Sequence, residues 1–274
     1  MEATQPVRSL HARLMVALLL IAGMTTADTT GSRWECAGER SAATSANSSG
    51  RLMILPGVAN TRFQLAGFVE RAQAQLPGFQ IDVRPWGIPL LTLHNLRAYE
   101  RNMATAAAIA EEITAWRRAH PTGTFYLAGY SGGGGMAALI VRALPADVVI
   151  DRLILIAPAI SADYALDRDV LPHVRELVVN FASERDLQVG WGTRTFGTID
   201  RKTTASAGAV GFDSDDSRVL QRHWTLDDAP YGHRGNHLAY LGGRWQSAKL
   251  LPTIDPALTA EQVLAHWART CKEE

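Results

Sequence analysis

The sequence predicts an α/β fold, a three-layer sandwich around a mostly parallel central sheet, and three observations carry that reading. From residue 51 onward short apolar runs alternate with segments of helical period, the order expected when helices cross over a sheet. The run 148–157 is almost continuously apolar, which marks a strand covered on both faces. With 274 residues, 47% hydrophobic and 20% charged, the chain can close one sizeable core without staples.

The elements follow in order. Residues 52–55 read as a strand, 63–76 as a helix, 79–86 as a strand and 96–119 as a long helix. Residues 124–130 form the next strand, followed by a helix over 136–144, the strand 148–157 and another strand over 176–181. The Gly- and Thr-rich stretch 190–212 is too long for an ordinary connection, so it is expected to be functional or locally mobile. A short strand over 218–224 and a helix over 259–269 close the domain, which is expected to span 51–274; no internal repeat is visible. The connection between 157 and 176 has no room for a large lid.

The first 27 residues read as a secretory signal. Arg8, His11 and Arg13 precede an apolar run over 14–24, and the small or polar Thr25, Thr26 and Ala27 follow. The run is shorter than the about 20 residues a span requires. Export to the periplasm or medium is expected, with an anchor retained through 14–24 as the alternative and as the sole membrane contact. Residues 28–50 are polar and small, as in a linker. In an exported protein Cys36 and Cys271 could close a bridge between the two ends, although two free thiols fit as well. The 27 basic residues balance 27 acidic ones, so the chain offers no net field for nucleic acid.

The chemistry centres on Gly129-Tyr130-Ser131-Gly132-Gly133, which fits G-x-S-x-G. The letters alone would arise by chance in about one such chain in ten, so context decides. Here an apolar strand precedes the motif and a helical segment follows it, the setting in which a tight turn thrusts a serine hydroxyl off the sheet. Glycine is needed where bulkier neighbours would collide with the strand and the helix. The N–H of Gly132, at the start of that helix, points to where an oxyanion develops. A phosphate-binding loop is the competing reading, but the Gly-Lys-Ser/Thr ending it needs is missing. A second amide is expected from Pro56-Gly57-Val58-Ala59-Asn60, directly after the first strand, with Val58 as the donor; a plain strand-ending turn is the alternative.

A serine hydroxyl needs a base, and the base needs an orienting acid. Asp186 lies in a turn just past the strand 176–181, with Glu184 as the alternative acid. His237 sits in a glycine-punctuated loop and is followed by apolar residues that can seat it, with His233 as the alternative base. His223, between Arg222 and Trp224, reads as structural, and a metal reading of His233 and His237 lacks a third ligand. Neither a metal nor a cofactor is expected.

Taken together, the Pro-Gly loop after the first strand, the elbow at 129–133, the strand ending in Ala157-Pro158-Ala159, and Asp186 then His237 resemble the α/β-hydrolase superfamily over about residues 51–269. That resemblance implies an acyl-serine esterase or lipase-like enzyme acting on a small-molecule or lipid ester. In one respect the sequence departs from many esterases, having Pro56 where they place a histidine before the glycine. Two other functions share the pattern: an acyltransferase on the same residues, and a catalytically silent fold serving as an envelope binding module. An intact Ser, acid and His set separates the enzymes from the silent module.

Overall fold

The computed structural model describes residues 50–269. The expected signal or anchor, nearly all of the linker, and both Cys36 and Cys271 lie outside the described residues.

Six strands form one sheet: β1 (Gly50–Leu55), β2 (Phe79–Val83), β3 (Thr124–Tyr130), β4 (Ile150–Ile156), β5 (Val174–Ala182) and β6 (Val219–His223). Their order is β2-β1-β3-β4-β5-β6 and every neighbouring pair is parallel. Parallel neighbours cannot be joined by tight hairpins, so the chain must cross the sheet between them. The principal helices are α1 (Ala66–Gln75), α2 (Thr92–Arg97), α3 (Tyr99–Ala119), α4 (Gly132–Arg142), α5 (Leu187–Phe196) and α6 (Ala260–Ala268). Because side chains alternate along a strand, each strand feeds two cores. Met53, Leu55, Leu127, Leu153 and Leu155 pack with α3 and α4 on one face, while Leu52, Ile54, Ala128, Ile154 and Ile156 pack with α1 and α6 on the other. Three layers result.

Topology fixes where chemistry can happen. β1 is flanked by β2 and β3, so the chain steps to one side of β1 and then returns to lay down β3 on its other side. Open α/β sheets bind ligands beyond the carboxyl ends of the strands at such a reversal. Both Ser131 and the loop 56–60 leave the sheet there.

Several elements differ from the sequence reading, each for a physical reason. The long helix breaks at Ala98, because the Asn102 side chain donates Nδ2 to the Asn95 carbonyl at 2.8 Å, an acceptor that an unbroken helix gives to a backbone N–H. β2 stops at Val83, two residues before Pro85, which has no N–H for a ladder. α4 begins at Gly132 rather than 136, because four consecutive glycines are packed as helix instead of loop. The stretch 190–212 is not an unstructured connection: it includes most of α5 and the short helix Ala207–Val210. Helical turns also run through Gly243–Ile254, where no element was expected. Among the described residues no helix is long and apolar enough to cross a membrane.

Candidate active site

Ser131 sits between β3 and α4 with φ 56° and ψ −122°, a strained backbone for a residue with a side chain. Its neighbours over-determine that conformation. The Ser131 N–H donates to the Ile156 carbonyl at 2.8 Å, and the Ser131 carbonyl accepts from Gly134 N–H at 2.9 Å and Ala159 N–H at 3.0 Å. A Cβ at Gly129 would stand 2.3 Å from the Gly133 carbonyl oxygen, and one at Gly133 would stand 2.4 Å from the Leu55 and Pro56 carbonyl oxygens. The elbow is therefore closed to side chains by backbone, which the surroundings cannot easily move.

The loop after β1 comes up against this turn. A Cβ at Gly57 would lie 3.4 Å from Ser131 Cβ, and one at Gly132 would lie 3.4 Å from Val58 N and 2.3 Å from Val58 Cγ1. Val58 thus packs against Gly132, and Gly57 lies against Ser131. Each carbonyl from Pro56 to Ala59 accepts a hydrogen bond: Pro56 from Trp86 Nε1 at 2.7 Å, Gly57 from Asn60 N–H at 2.7 Å, Val58 from Asn95 Nδ2 at 2.8 Å and Ala59 from Leu90 N–H at 2.9 Å. Since a peptide's N–H opposes its C=O, pinning the Gly57 carbonyl also aims the Val58 N–H. Asn95 is fully buried and saturated, donating to Val58 and Ile88 carbonyls and accepting from Ile88 N–H and Arg101. Asn60, at φ 53°, bridges Trp86 N–H and the Gly87 carbonyl with its side-chain amide. Sequence reasoning missed Asn60, Trp86 and Asn95; the asparagine after Pro56-Gly57-Val58-Ala59 was the one available signal, as a residue that tolerates positive φ.

Asp186 and His237 meet from the ends of β5 and β6. His237 Nδ1 donates to Asp186 Oδ2 at 2.6 Å, and both side chains are buried. Asp186 also caps α5, its Oδ1 accepting from Gln188 N–H at 3.0 Å and Val189 N–H at 3.3 Å. The His237 ring stacks on Tyr130, the residue before the serine, with centroids 4.8 Å apart, and the Tyr130 hydroxyl donates to the His237 carbonyl at 3.0 Å. With Nδ1 committed to the carboxylate, Nε2 is the nitrogen left for chemistry. Ser131 Oγ makes no hydrogen bond among the described residues, so the contact between serine and imidazole is not closed in this conformation.

The alternates sit elsewhere. Glu184 is exposed and bonds to no histidine. His233 is fully buried, its Nδ1 accepting from Gly235 N–H at 3.1 Å and its ring packed on Tyr240 and Trp245. Burial pulls the His233 pKa down to about 4, against the opposing pull of Asp228 and Asp186. The ring is thus neutral near pH 7, and Nε2 carries its proton. The loop bearing His237 is further clipped to the acid turn by Ser183 Oγ, which donates to the Gly235 carbonyl at 2.8 Å. Burial also lifts the Tyr130 and Tyr240 hydroxyls well above the usual tyrosine range, so both stay protonated. Among the described residues no three His, Cys, Asp or Glu side chains gather as metal ligands would.

No family model and no curated protein matches the chain. Solved structures do resemble it. An acetylxylan esterase is 11% identical with a TM-score of 0.46, covering 80% of this chain and 100% of its own. A cutinase-like protein from Cryptococcus sp. is 16% identical with a TM-score of 0.42, covering 75% and 94%. Esterase PE8 is 14% identical with a TM-score of 0.41, covering 69% and 84%. The chain's own geometry is more telling than these distant likenesses: the parallel order β2-β1-β3-β4-β5-β6, a strained serine turn after β3, an aspartate after β5 and a histidine after β6. Residues 50–269 have the α/β-hydrolase fold.

Proposed function

We propose that this protein is an exported serine hydrolase that cleaves carboxyl esters through an acyl-serine intermediate. Export rests on the N-terminal sequence pattern alone. The observation that carries the enzymatic reading is the 2.6 Å pair between His237 and Asp186, its imidazole stacked on Tyr130, the residue before a serine at φ 56°. A fold maintained only for binding has no need to hold a buried imidazole and carboxylate next to a strained serine.

Ser131 Oγ attacks the ester carbonyl carbon as its proton passes to His237 Nε2. The carbonyl oxygen becomes an oxyanion that accepts from the N–H groups of Gly132 and Val58, the two backbone donors assigned to this role. Collapse of the tetrahedral species breaks the carbon–oxygen bond to the alcohol, which leaves with the proton from His237. Water then attacks the acyl-serine, giving a proton to His237; the second collapse frees the carboxylic acid and returns that proton to Ser131. Asp186 keeps the proton of the neutral ring on Nδ1 and stabilises the imidazolium in both halves. Ser131 and His237 come within bonding distance as substrate binds, since such contacts are often long in a free enzyme.

The test is labelling with a fluorophosphonate, together with hydrolysis of p-nitrophenyl acetate, in the parent, Ser131→Ala and His237→Ala. Labelling of the parent, and its loss in the serine variant, is expected. Equal labelling of both would reject Ser131, and an inert parent would favour the silent binding module. Adding a short alcohol and measuring transesterification distinguishes an acyltransferase.

A further inference from the structure

The segment between β2 and α2 reads Trp86-Gly87-Ile88-Pro89-Leu90-Leu91, with Thr92 and Leu93 opening α2. It carries no charge, yet Ile88, Leu90, Leu91 and Leu93 are 43%, 56%, 50% and 44% exposed. Scattered exposed leucines need no explanation, whereas four exposed apolar residues within one six-residue uncharged run do.

The backbone makes the exposure more pointed. Leu91 N–H bonds back to the Ile88 carbonyl, Pro89 is the second residue of that turn, and Leu90, the third, has φ 65°. Turns of this pattern take glycine or asparagine at the third position, because a Cβ is strained there. A leucine held in that conformation, with its side chain in water, opposes both local preference and burial. Strain of this kind collects where a protein binds or reacts.

The turn is also joined to the oxyanion loop. Leu90 N–H donates to Ala59 at 2.9 Å, and Asn95 clamps Val58 and Ile88 together. An ester with its carbonyl at Ser131 and Val58 is therefore adjacent to this turn, and what an uncharged leucine surface recognises there is hydrocarbon.

We propose that residues 88–93 form the wall that takes the acyl chain of a neutral ester of medium length, with Leu90 as the specificity-determining side chain. The inference rests on the reading of Ser131 as nucleophile. Since the wall is hydrogen-bonded to the Ala59 carbonyl and, through Asn95, to the Val58 carbonyl of the loop that carries the oxyanion donor, acyl contact at Leu90 steadies that loop as well as binding the chain, so chain length is felt in kcat as well as KM.

The experiment compares kcat/KM for p-nitrophenyl acetate and octanoate, both below micellar concentration, in the parent, Leu90→Asn and Leu90→Gly. Asparagine and glycine each accept φ 65° while removing the apolar side chain. The parent should prefer octanoate by about 100-fold or more. In both variants the ratio of octanoate to acetate kcat/KM should fall about ten-fold. The glycine variant should melt at or above the parent temperature, whereas a leucine kept for packing would leave it less stable. An equal rate for the two esters, an unchanged ratio in the variants, or parallel loss on both esters overturns the proposal. So does a variant that changes only oligomeric state, which would make the turn a contact between copies. Acetate hydrolysis and labelling that survive such a result leave the nucleophile reading standing; loss of both in the parent removes it and this proposal together.

Discussion

His237 Nδ1 donates to Asp186 Oδ2 at 2.6 Å across 51 positions of sequence, while the other oxygen of the same carboxylate caps α5. One side chain thus serves the imidazole and the helix, and the two duties can be separated by substitution.

Asp186→Asn retains an oxygen for the cap but offers the imidazole an amide, which favours the wrong tautomer. Turnover of an acetate ester should fall by about 10³- to 10⁴-fold, with an unfolding free energy within about 1 kcal/mol of the parent. Asp186→Ala loses both duties and should be distinctly less stable. Kinetics and urea denaturation on the two variants check this; equal stability for both would mean that the cap contributes nothing.

Asn95→Asp keeps acceptors for Ile88 N–H and Arg101 but removes the donors to the Val58 and Ile88 carbonyls. If these donors hold the loop that carries Val58 in place, kcat should drop about ten-fold or more with little change in KM, since a full oxyanion donor is worth about 10²- to 10³-fold. Affinity for a boronic acid transition-state analogue should weaken by a similar factor. A change confined to KM would assign Asn95 to substrate binding instead.

Gly132→Ala and Gly133→Ala should behave differently. At 132 the new methyl meets the Val58 side chain, which can turn aside at the cost of the neighbouring amide's position, whereas at 133 it meets two backbone carbonyls. The first should lose most activity while remaining folded, and the second should cost about 3 kcal/mol of stability, the upper end of ordinary overpacking. Circular dichroism melts beside ester hydrolysis distinguish the two.

Acid should destabilise the protein through His233. Its pKa is 6.5 when unfolded and about 4 when folded, so between those values the unfolded chain binds more protons. The corresponding stability is fully present above pH 6.5, declines as pH falls toward 4, and then levels, an integrated loss of about 3 kcal/mol. His233→Gln should flatten that part of the stability profile. An unchanged slope between pH 6.5 and 4 in the variant would assign the acid sensitivity to other groups.

Much of the frame was legible because it depends on local pattern. The continuous apolar runs place β3 and β4 to within about two residues, and the glycines around Ser131 announce a turn that excludes side chains. Misreadings arise where distant groups decide. The glycines and threonines of α5 argue against a helix, but the Asp186 cap and the burial of Val189 and Thr193 override them. Gly134 and Gly135 read as a loop, yet each gives close passage to Pro158 and Ile199 against a helix.

By itself the sequence determined that a sheet of buried strands would carry a serine on a glycine-lined bend, with an aspartate and histidines downstream, since apolar periodicity and backbone sterics act over a few residues. Only the tertiary structure decided which pair of those groups meets, that His233 is sealed away, and that Asn60, Trp86 and Asn95 hold the amide loop. Those outcomes follow from the order in which strands lie side by side, and strand order depends on contacts between residues far apart along the chain.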